Sequence, residues 1–358
     1  MSGGWRSLAR AALIGAGALL AGCAQQRSDV GYYWQSVSGH MAMLQAAQPV
    51  AELIDDTATP ADLRVRLALS QRIRNFAVRE LHLPDNASYR RYADLGRPAV
   101  VWNVVAAPEL SLALKTWCFP VMGCVGYRGY FDRAAADALA TELRAQGLEV
   151  SVYGVPAYST LGKLPGTFFA DPLLNTFIRY PEGELARMVF HELAHQEAYA
   201  PDDTMFNESF ATAVERIGSA MWLAREADAA ARDEYARLDA RRQDFRALTS
   251  RYRALFDASY RSSAAEADKR QRKTELLAAL RAEAATLKAE RWAGYTGYDD
   301  WFGRVNNASL AVLAAYNAQV GDFERLFERQ GRDFERFYAE VRRLAALPKA
   351  ERDRLLSL

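Results

Sequence analysis

The sequence has little net charge, few cysteines and few histidines. Its 358 residues carry a formal net charge of +1, with 3 cysteines and 4 histidines. A near-neutral chain lacks the concentrated positive surface that phosphate binding needs, so we expect no nucleic acid as a partner. No internal repeat is found. With 50% apolar and 25% charged residues, the composition is that of a globular protein and not of a disordered or fibrous one.

A hydrophobic run near the N-terminus, AALIGAGALLAG, is too short to span a bilayer. Arg6 and Arg10 precede it, and its length is about that of the apolar region of an export signal. It ends in Leu20-Ala21-Gly22-Cys23, which resembles the bacterial lipobox, where the signal is cut before the cysteine and the cysteine receives lipid. A plain secretory signal with a chance cysteine is the alternative. Loss of residues 1–22 changes the net charge from +1 to −1.

Two cysteines remain if Cys23 carries lipid. Cys118 and Cys124 occur in KTWCFPVMGCVGYRGYF, where Pro120 and Gly123 permit a tight loop between them. An even pair at close spacing favours a disulfide in an oxidising compartment. Two reduced, buried cysteines are one alternative. A second metal site is the other, although no histidine lies nearby.

The hydrophobic pattern predicts an α+β fold that is mainly helical. Helical patterns cover roughly residues 32 to 55 and residues 59 to 83, the second with Thr59 as cap and Pro60 in the first turn. Between residues 99 and 180, the runs AVVWNVVAAP, LSLALKTWCF, LEVSVYGVPAYS and NTFIRY predict a small, mostly antiparallel sheet. An amphipathic helix, DRAAADALATELRAQG, interrupts these runs, with Asp132 as its cap.

From residue 182 to the end, the pattern is helical. Residues 222–290 contain neither Pro nor Gly, which predicts a long antiparallel helical hairpin. We interpret this hairpin as a solvated arm, with a partner-binding coil as the alternative and any protein partner unknown. Residues 295–310, YTGYDDWFGRVNNASL, form a Gly- and aromatic-rich loop between helical regions, and such loops often carry function.

The stretch HELAH, residues 191–195, is the strongest functional signal. On a helix, His191 and His195 leave the same face one turn apart, a separation that lets both imidazoles bind one Zn²⁺ ion. Glu192 lies beside the first histidine, where its carboxylate can take a proton from a water molecule held by the metal. An ordinary helical turn that carries two histidines is the competing interpretation, so a third ligand is the next question.

Candidate third ligands follow in NESFATAVE. Asn207-Glu208 comes 12 residues after His195, beyond a break at residues 200–203 that can turn the chain and start a second helix. Glu208 on that helix would complete a His₂Glu site with an open fourth position. Glu215, two turns further on the same face, can accept a hydrogen bond from a zinc-bound histidine. Glu215 and Glu197 are the alternatives to Glu208 as the ligand.

HELAH followed by NESFATAVE resembles the gluzincin zinc peptidases, and especially their aminopeptidase branch with its N-E-x-F-A motif. The gap of 12 residues is shorter than the loop usual in those enzymes, so a tighter connection is expected. WCFPVMGCVGYRGYF, YGVPAYSTLGKLPG, DPLL, FHELAHQ, DDTMFNESFATAVE and WFGRVNNASL together resemble a family of bacterial lipoproteins called putative aminopeptidases, over roughly residues 31 to 345. The resemblance implies peptide hydrolysis and leaves the substrate open.

These sequence patterns together predict the organisation of the chain. We predict a lipoprotein signal peptide at 1–22, a lipidated tether at 23–31 and a zincin-like catalytic core at 32–226. These are followed by a helical hairpin arm at 227–291 and by a C-terminal helical region at 292–358 that completes the body.

Peptide hydrolysis also needs a donor for the oxyanion, commonly Tyr, His or Arg. The candidate pocket or oxyanion residues are Arg128, Tyr127, Tyr130, Tyr295 and Tyr298, although a Tyr in an apolar context usually fills core. An aminopeptidase further needs an acid for the substrate amine, and Glu109, Asp171 and Glu197 are equally open choices.

We therefore expect a zinc hydrolase that is tethered by lipid at Cys23, faces the periplasm and acts on a peptide substrate. His191, His195 and Glu208 hold one zinc ion per chain, and Glu192 is the general base. Ala24 stands where an inner-membrane retention signal would place Asp, so an outer-membrane location is favoured. The alternatives are a zinc amidase or endopeptidase acting on cell-wall peptides and a non-catalytic scaffold with a structural metal.

Overall fold

A computed structural model describes residues 31–119, 123–157, 166–313 and 319–358 of the chain. The predicted signal peptide, Cys23 and the tether up to residue 30 lie outside these residues. Within them, the chain has an α+β fold that is mainly helical with few, short strands, as the sequence predicts.

The N-terminal region is helical with one interruption. Helix α1 covers residues 31–46, strand β1 is Gln48–Pro49, and helix α2 is Val50–Asp55. The prediction of one continuous helix over 32–55 is therefore wrong, because Pro49 has extended backbone angles and has no N–H to continue the helix. Helix α3, Ala61–Leu81, begins one residue later than predicted, with Pro60 rather than Thr59 at the N-cap and no side chain capping it. It ends at His82, which has a positive φ of 50°.

Two small sheets follow. Strand β3, Val101–Pro108, lies between β6, Arg128–Tyr130, and β7, Leu148–Val155, and both pairings are antiparallel. In the other sheet, β2, Arg91–Ala93, pairs antiparallel with β1 and parallel with β8, Leu173–Leu174. Strands β4, Trp117–Phe119, and β5, Gly123–Val125, form a separate hairpin.

Two of the predicted β runs are shorter than expected or absent. Of residues 110–119, only Trp117–Phe119 form a strand. NTFIRY, residues 175–180, forms turns rather than a strand, with Ile178 N donating to Leu174 O at 3.0 Å. Phe177 and Ile178 are apolar because they enter the main core under the following helix, and burial in a turn gives the same composition as a strand.

Strand β3 is buried on both faces. Val104 and Ala106 pack against helix α4, Arg133–Ala145, while Val105 and Ala107 lie on the opposite face with Ala308. The predicted cap is present, since the Asp132 carboxylate accepts from Ala134 N at 2.9 Å. The strand therefore reads as a continuous apolar run rather than an alternating one.

Residues 295–310, which the sequence predicts as a loop, contain a short helix and the start of a second one, which begins at a capping box of Asn306 and Ser309. The rest of the described chain is helical, as predicted. Its helices are α5, Glu182–Ala194; α6, Thr204–Arg225; α7, Ala229–Arg261; α8, Glu266–Glu290; α9, Asp299–Arg304; α10, Asn307–Val312; α11, Val320–Arg329; α12, Phe334–Ala345; and α13, Lys349–Leu356.

The long hairpin is formed by α7 and α8, and it has a hydrophobic core of its own. Phe256, Leu276 and Leu280 pack there with Trp292 and Phe302 from the following loop and α9. The main core lies elsewhere and joins α3, α5, α6, α11 and α12. The predicted boundaries at 226 and 291 stay predictions, because the hairpin also packs on α5 and, through α10, on the sheet.

Candidate metal centre

Helices α5 and α6 position the candidate centre. His191 and His195 lie at the C-terminal end of α5, and Glu208 lies in the second turn of α6. The two helices pack closely, with Phe190 and Phe210 fully buried in the core that they share. The polar side chains of both helices therefore meet along one edge of that contact.

The candidate ligand atoms are spaced as ligands of a single ion would be. All lie within 4.8 Å of one another. The two Nε2 atoms are 3.2 Å apart, and the Glu208 oxygens lie 3.3 Å from Nε2 of His191 and 3.7 Å from Nε2 of His195. Ligands about 2.0–2.1 Å from a tetrahedral ion are about 3.3 Å from each other. The three side chains therefore form a possible site for one divalent metal ion.

Glu215 fixes the orientation of the His191 ring. Its Oε2 lies 3.0 Å from Nδ1 of His191, so Nδ1–H donates to the carboxylate and Nε2 is the ring nitrogen that faces Glu208 and His195. Burial alone would raise the pKa of Glu215, but Arg187 and His191 lower it to about 2. Glu215 is therefore a carboxylate at neutral pH. It contacts His191 and lies outside the group formed by His191, His195 and Glu208.

Arg187 takes part in this arrangement although the sequence reading did not single it out. It pairs with Glu215 and, at 3.1 Å, with Glu184, and Glu184 in turn pairs with Arg242 of α7. These ion pairs connect the metal centre to the long hairpin. Arg187 precedes His191 by four residues, so helical spacing alone places it on the same face and could have identified it.

The two histidines and Glu208 influence each other's charge. Burial alone would lower the pKa of His191, but hydrogen bonds to Glu208 and Glu215 raise it well above the usual value. Burial lowers the pKa of His195 to about 4, so this ring is neutral. For Glu208, burial would raise the pKa, but the two histidines lower it. A neutral imidazole and a carboxylate are the forms that bind a metal ion.

Glu192 is partly exposed, and the charges of nearby acidic residues act on it. Burial raises its pKa to about 7, His191 opposes this, and the charges of Glu208 and Asp171 add to the increase. A carboxylate with a pKa near the working pH suits general base catalysis.

Tyr89, which no sequence pattern indicated, lies near the same acids. Its side chain is 2% exposed, and its hydroxyl has no hydrogen-bond partner among the described residues. Burial raises the pKa of Tyr89 well above the usual value, and Glu192 and Asp171 add to this shift. Its backbone φ is 63°, a strained value for a non-glycine residue, and no sequence signal for it exists.

The connection between the two helices is short because its polar groups are satisfied internally. Asn207 accepts from Ala200 N and donates to Ala200 O, each at 2.8 Å. Asp203 caps α6 by accepting from Phe206 N at 3.2 Å. The asparagine of the N-E pair therefore closes the loop that brings Glu208 to the histidines.

Two other parts of the chain contact this loop. Asp202 accepts from Cys124 N at 3.1 Å, and Cys124 is joined to Cys118 by the predicted disulfide across β4 and β5. Asp203 pairs with Arg352 of α13 at 2.6 Å, and both side chains are at most 5% exposed. The loop is thus held by the disulfide hairpin and by the C-terminal helix.

The candidate pocket residues of the YRGYF run lie in different surroundings. Burial raises the pKa of Tyr127, and the negative charge of the nearby Glu208 raises it further. Arg128 stacks on Tyr32 of α1, 4.1 Å from the ring centre, and Tyr130 contacts the same ring edge-on at 5.4 Å. Tyr127 therefore interacts with a candidate ligand, Glu208.

Tyr295 and Tyr298 belong to the hairpin cluster. Tyr298 stacks on Phe245 with ring centres 4.5 Å apart, and Arg241 lies 4.6 Å above the Tyr295 ring. Both tyrosines line a cavity of about 710 Å³ with Glu184 and residues of α7. That cavity does not include His191, His195 or Glu208.

The candidate amine-binding acids differ in availability. Glu109 pairs with Arg270 at 2.9 Å and Glu197 with Arg342 at 2.5 Å, so both carboxylates are neutralised by cations. Asp171 is 1% exposed and lies among the groups near Glu192. The amine-binding acid stays open.

The fold and this group of side chains define an α+β protein with a His₂Glu group suited to one divalent cation. The model of the putative aminopeptidase family matches residues 31–356, and the chain belongs to that family. Membership supports a peptidase-like function in general. No curated protein and no solved structure matches the chain. Within the described residues, no helix has both the length and the apolar character to cross a membrane.

Proposed function

We propose that the protein is a zinc-dependent peptidase of the cell envelope and that it acts as an aminopeptidase. The observation that carries the proposal is the spacing of the ligand atoms of His191, His195 and Glu208, which matches that around one tetrahedral ion. A structural metal site would be closed by a fourth protein ligand, and among the described residues only these three form such a group. An open position favours catalysis.

The residues around the ligands have distinct roles in the proposed reaction. Zinc, when bound, supplies Lewis acidity that polarises the peptide carbonyl and makes a water molecule easier to deprotonate. Glu192 takes the proton from the attacking water and gives it to the leaving amine. Glu215 keeps Nε2 of His191 directed at the site, and Arg187 holds Glu215 in place.

The decisive experiment combines metal analysis with substrate hydrolysis. We expect about one zinc per chain and cleavage of free-amine peptides but not of N-blocked ones. Cleavage of blocked peptides would instead indicate an endopeptidase or amidase. The His191→Ala, His195→Ala double variant should lose the metal. Zinc retained equally by that double variant would refute the metal centre.

A Glu192→Gln variant separates catalysis from metal binding. It should keep the fold and the zinc, and lose peptidase activity by about 10²–10⁴-fold, the usual contribution of a general base. Full activity in this variant would exclude the proposed role. A wild-type protein with zinc and no turnover on any peptide of the panel would favour a scaffold.

Tyr127 is the proposed donor to the oxyanion, because it is the predicted candidate that lies near Glu208. Tyr127→Phe should lower kcat by about 10²–10³-fold with the metal content unchanged. Tyr130→Phe is the matched control, since Tyr130 packs against Tyr32.

The location is proposed from the N-terminal sequence. Lipid at Cys23 would anchor the protein to the periplasmic side of a bacterial membrane, and Ala24 favours the outer membrane over the inner one. The mass of the N-terminal peptide of protein isolated from cells tests this directly. Cys23→Ser should abolish the added lipid mass and release the protein from the membrane fraction.

A further inference from the structure

Helix α1 presents an apolar face to solvent. Tyr33, Trp34 and Val37 are 44%, 72% and 59% exposed, and their spacing places them on one side of the helix. The other large apolar residues that are exposed in the described chain lie singly on other parts of the protein: Val65, Phe168, Leu255 and Leu358. Single exposed residues are normal, whereas a contiguous group indicates an interaction surface.

The opposite face of α1 is fixed to the protein, so the exposed face has a defined direction. Gln35 accepts from Phe131 N at 3.0 Å, and Arg128 stacks on Tyr32. Gly39 lies so close to Phe131 that an added Cβ would be 2.3 Å from its ring. Met43 and Leu44 are buried in the main core. The helix therefore cannot rotate to bury Trp34 without losing these contacts.

The segment that contains α1 also lacks charged residues. Residues 30–51 contain no Asp, Glu, Lys or Arg in a chain of which one quarter is charged. A surface that contacts only water has no reason to exclude charge. Trp and Tyr are the residues that lie at the level of lipid headgroups, where an apolar ring and a polar edge are both satisfied.

The position of α1 in the chain indicates which surface covers its exposed face. Cys23 precedes Tyr33 by ten residues, a span that reaches at most about 35 Å. An acylated Cys23 would keep the exposed face within that distance of the bilayer. A soluble partner protein has no such reason to meet this helix.

We propose that Tyr33, Trp34 and Val37 of α1 rest on the membrane surface at headgroup level and orient the catalytic body on it. This contact with the membrane rests on the proposed lipid anchor at Cys23. It would attach the protein to the membrane at a second point besides the lipid. A lipid anchor alone leaves the body free to tumble, whereas a rigidly held aromatic face selects one orientation.

The test uses the full-chain protein extracted from membranes and reconstituted in vesicles of phosphatidylethanolamine and phosphatidylglycerol, with and without lipids brominated near the headgroup end. Bromine quenches only tryptophans that touch the bilayer. The emission of Trp34 is the difference between wild type and Trp34→Phe. We expect the brominated lipids to quench that component, because a tryptophan in the interfacial belt lies at the level of the headgroups.

The matched control is Trp301→Phe, because Trp301 is a partly buried tryptophan that packs on Phe245 in the hairpin cluster. Its component should be equally bright in both kinds of vesicle. An unquenched Trp34 component in protein that floats with the vesicles overturns the proposal.

A further experiment tests the membrane contact of α1 separately from the lipid anchor at Cys23. If the N-terminal peptide carries no lipid, a chain with a histidine tag in place of residues 1–22, bearing Cys23→Ser, is bound to vesicles that contain nickel-chelating lipid. Quenching of Trp34 in these vesicles supports the membrane contact of α1 even though the proposed lipid anchor is wrong. No quenching in that tethered protein refutes the face itself.

Discussion

At the residue scale, the carboxylates around the histidines matter as much as the histidines. Glu215 accepts from Nδ1 of His191 and is itself held by Arg187, so the ring has one orientation before any ion arrives. A preoriented ligand binds a metal more tightly than one that must be ordered.

Replacing Glu215 therefore tests this support. Glu215→Gln should weaken zinc binding by about 10–100-fold, as for other residues that hydrogen-bond a metal ligand. Competition with a chelator of known affinity measures this change. Glu226→Gln, at the exposed end of α6, is the control and should leave the affinity unaltered. Equal affinities in both variants would show that Glu215 does not orient His191.

Asn207 is a second residue with a purely local role. Asn207→Ala leaves the N–H and C=O of Ala200 without their partners and should lower the free energy of unfolding by about 1–3 kcal/mol. Denaturant unfolding measures the loss. Asn75→Ala, at an exposed site of α3, should have little effect. The prediction fails if both variants unfold alike.

At the scale of elements, the geometry of the centre depends on how the α5–α6 connection is held. The disulfide hairpin contacts it through Asp202, and α13 contacts it through Asp203. These contacts come from segments far away in sequence. They explain how so short a connection can align Glu208 with the histidines.

The ion pair between Asp203 and Arg352 predicts a dependence on pH. Burial would raise the pKa of Asp203, but Lys349 and Arg352 lower it below its usual range. The pair therefore stabilises the fold fully above the unfolded pKa of about 3.9, and this stabilisation is lost as pH falls through the lower folded value.

Asp203→Asn keeps the helix cap but removes the charge, and should cost about 3–5 kcal/mol near neutral pH because Arg352 stays buried without a counter-ion. The difference from wild type should shrink in acid. Asp137→Asn, in an exposed pair with Arg133, should show little of either effect. A stability difference between Asp203→Asn and wild type that is independent of pH would contradict the proposed role of the Asp203–Arg352 ion pair.

At the scale of the whole molecule, the hairpin of α7 and α8 is attached to the sheet through a few polar contacts. Lys273 is 9% exposed as a side chain, donates to Glu109 O at 2.8 Å and pairs with Glu149. Glu149 also accepts from Asn307 N at 2.7 Å. On the sheet side, the buried Lys273 thus adds to the exposed pair of Arg270 with Glu109 in anchoring the hairpin, while the hairpin's own apolar core keeps it folded.

Lys273→Met should loosen this attachment and leave the metal centre intact. We expect a loss of about 1–3 kcal/mol, faster hydrogen exchange in α8 and α10, and unchanged zinc content, because the two regions have separate cores. Arg272→Met, next in sequence and exposed, is the control. A loss of zinc in Lys273→Met would show that the hairpin supports the centre.

The sequence by itself determined the elements whose signals are local. The α3 and α4 helices, the hairpin and the HELAH spacing follow from periodicity, caps and the absence of Pro and Gly, which act within a few residues. The same reasoning failed at Pro49 and in residues 175–180, where one proline or burial in the main core decided the outcome.

Tertiary structure alone decided which distant side chains meet. No spacing relates Arg352 to Asp203, Cys124 to Asp202, or Tyr89 to Glu192, since the two residues of each pair come from segments far apart in the sequence rather than from one helix. It also decided that α1 turns Tyr33 and Trp34 outward, because Gly39 and Gln35 fix its inner face against Phe131. Periodicity says that a helix has two faces, and only the neighbours say which one is covered.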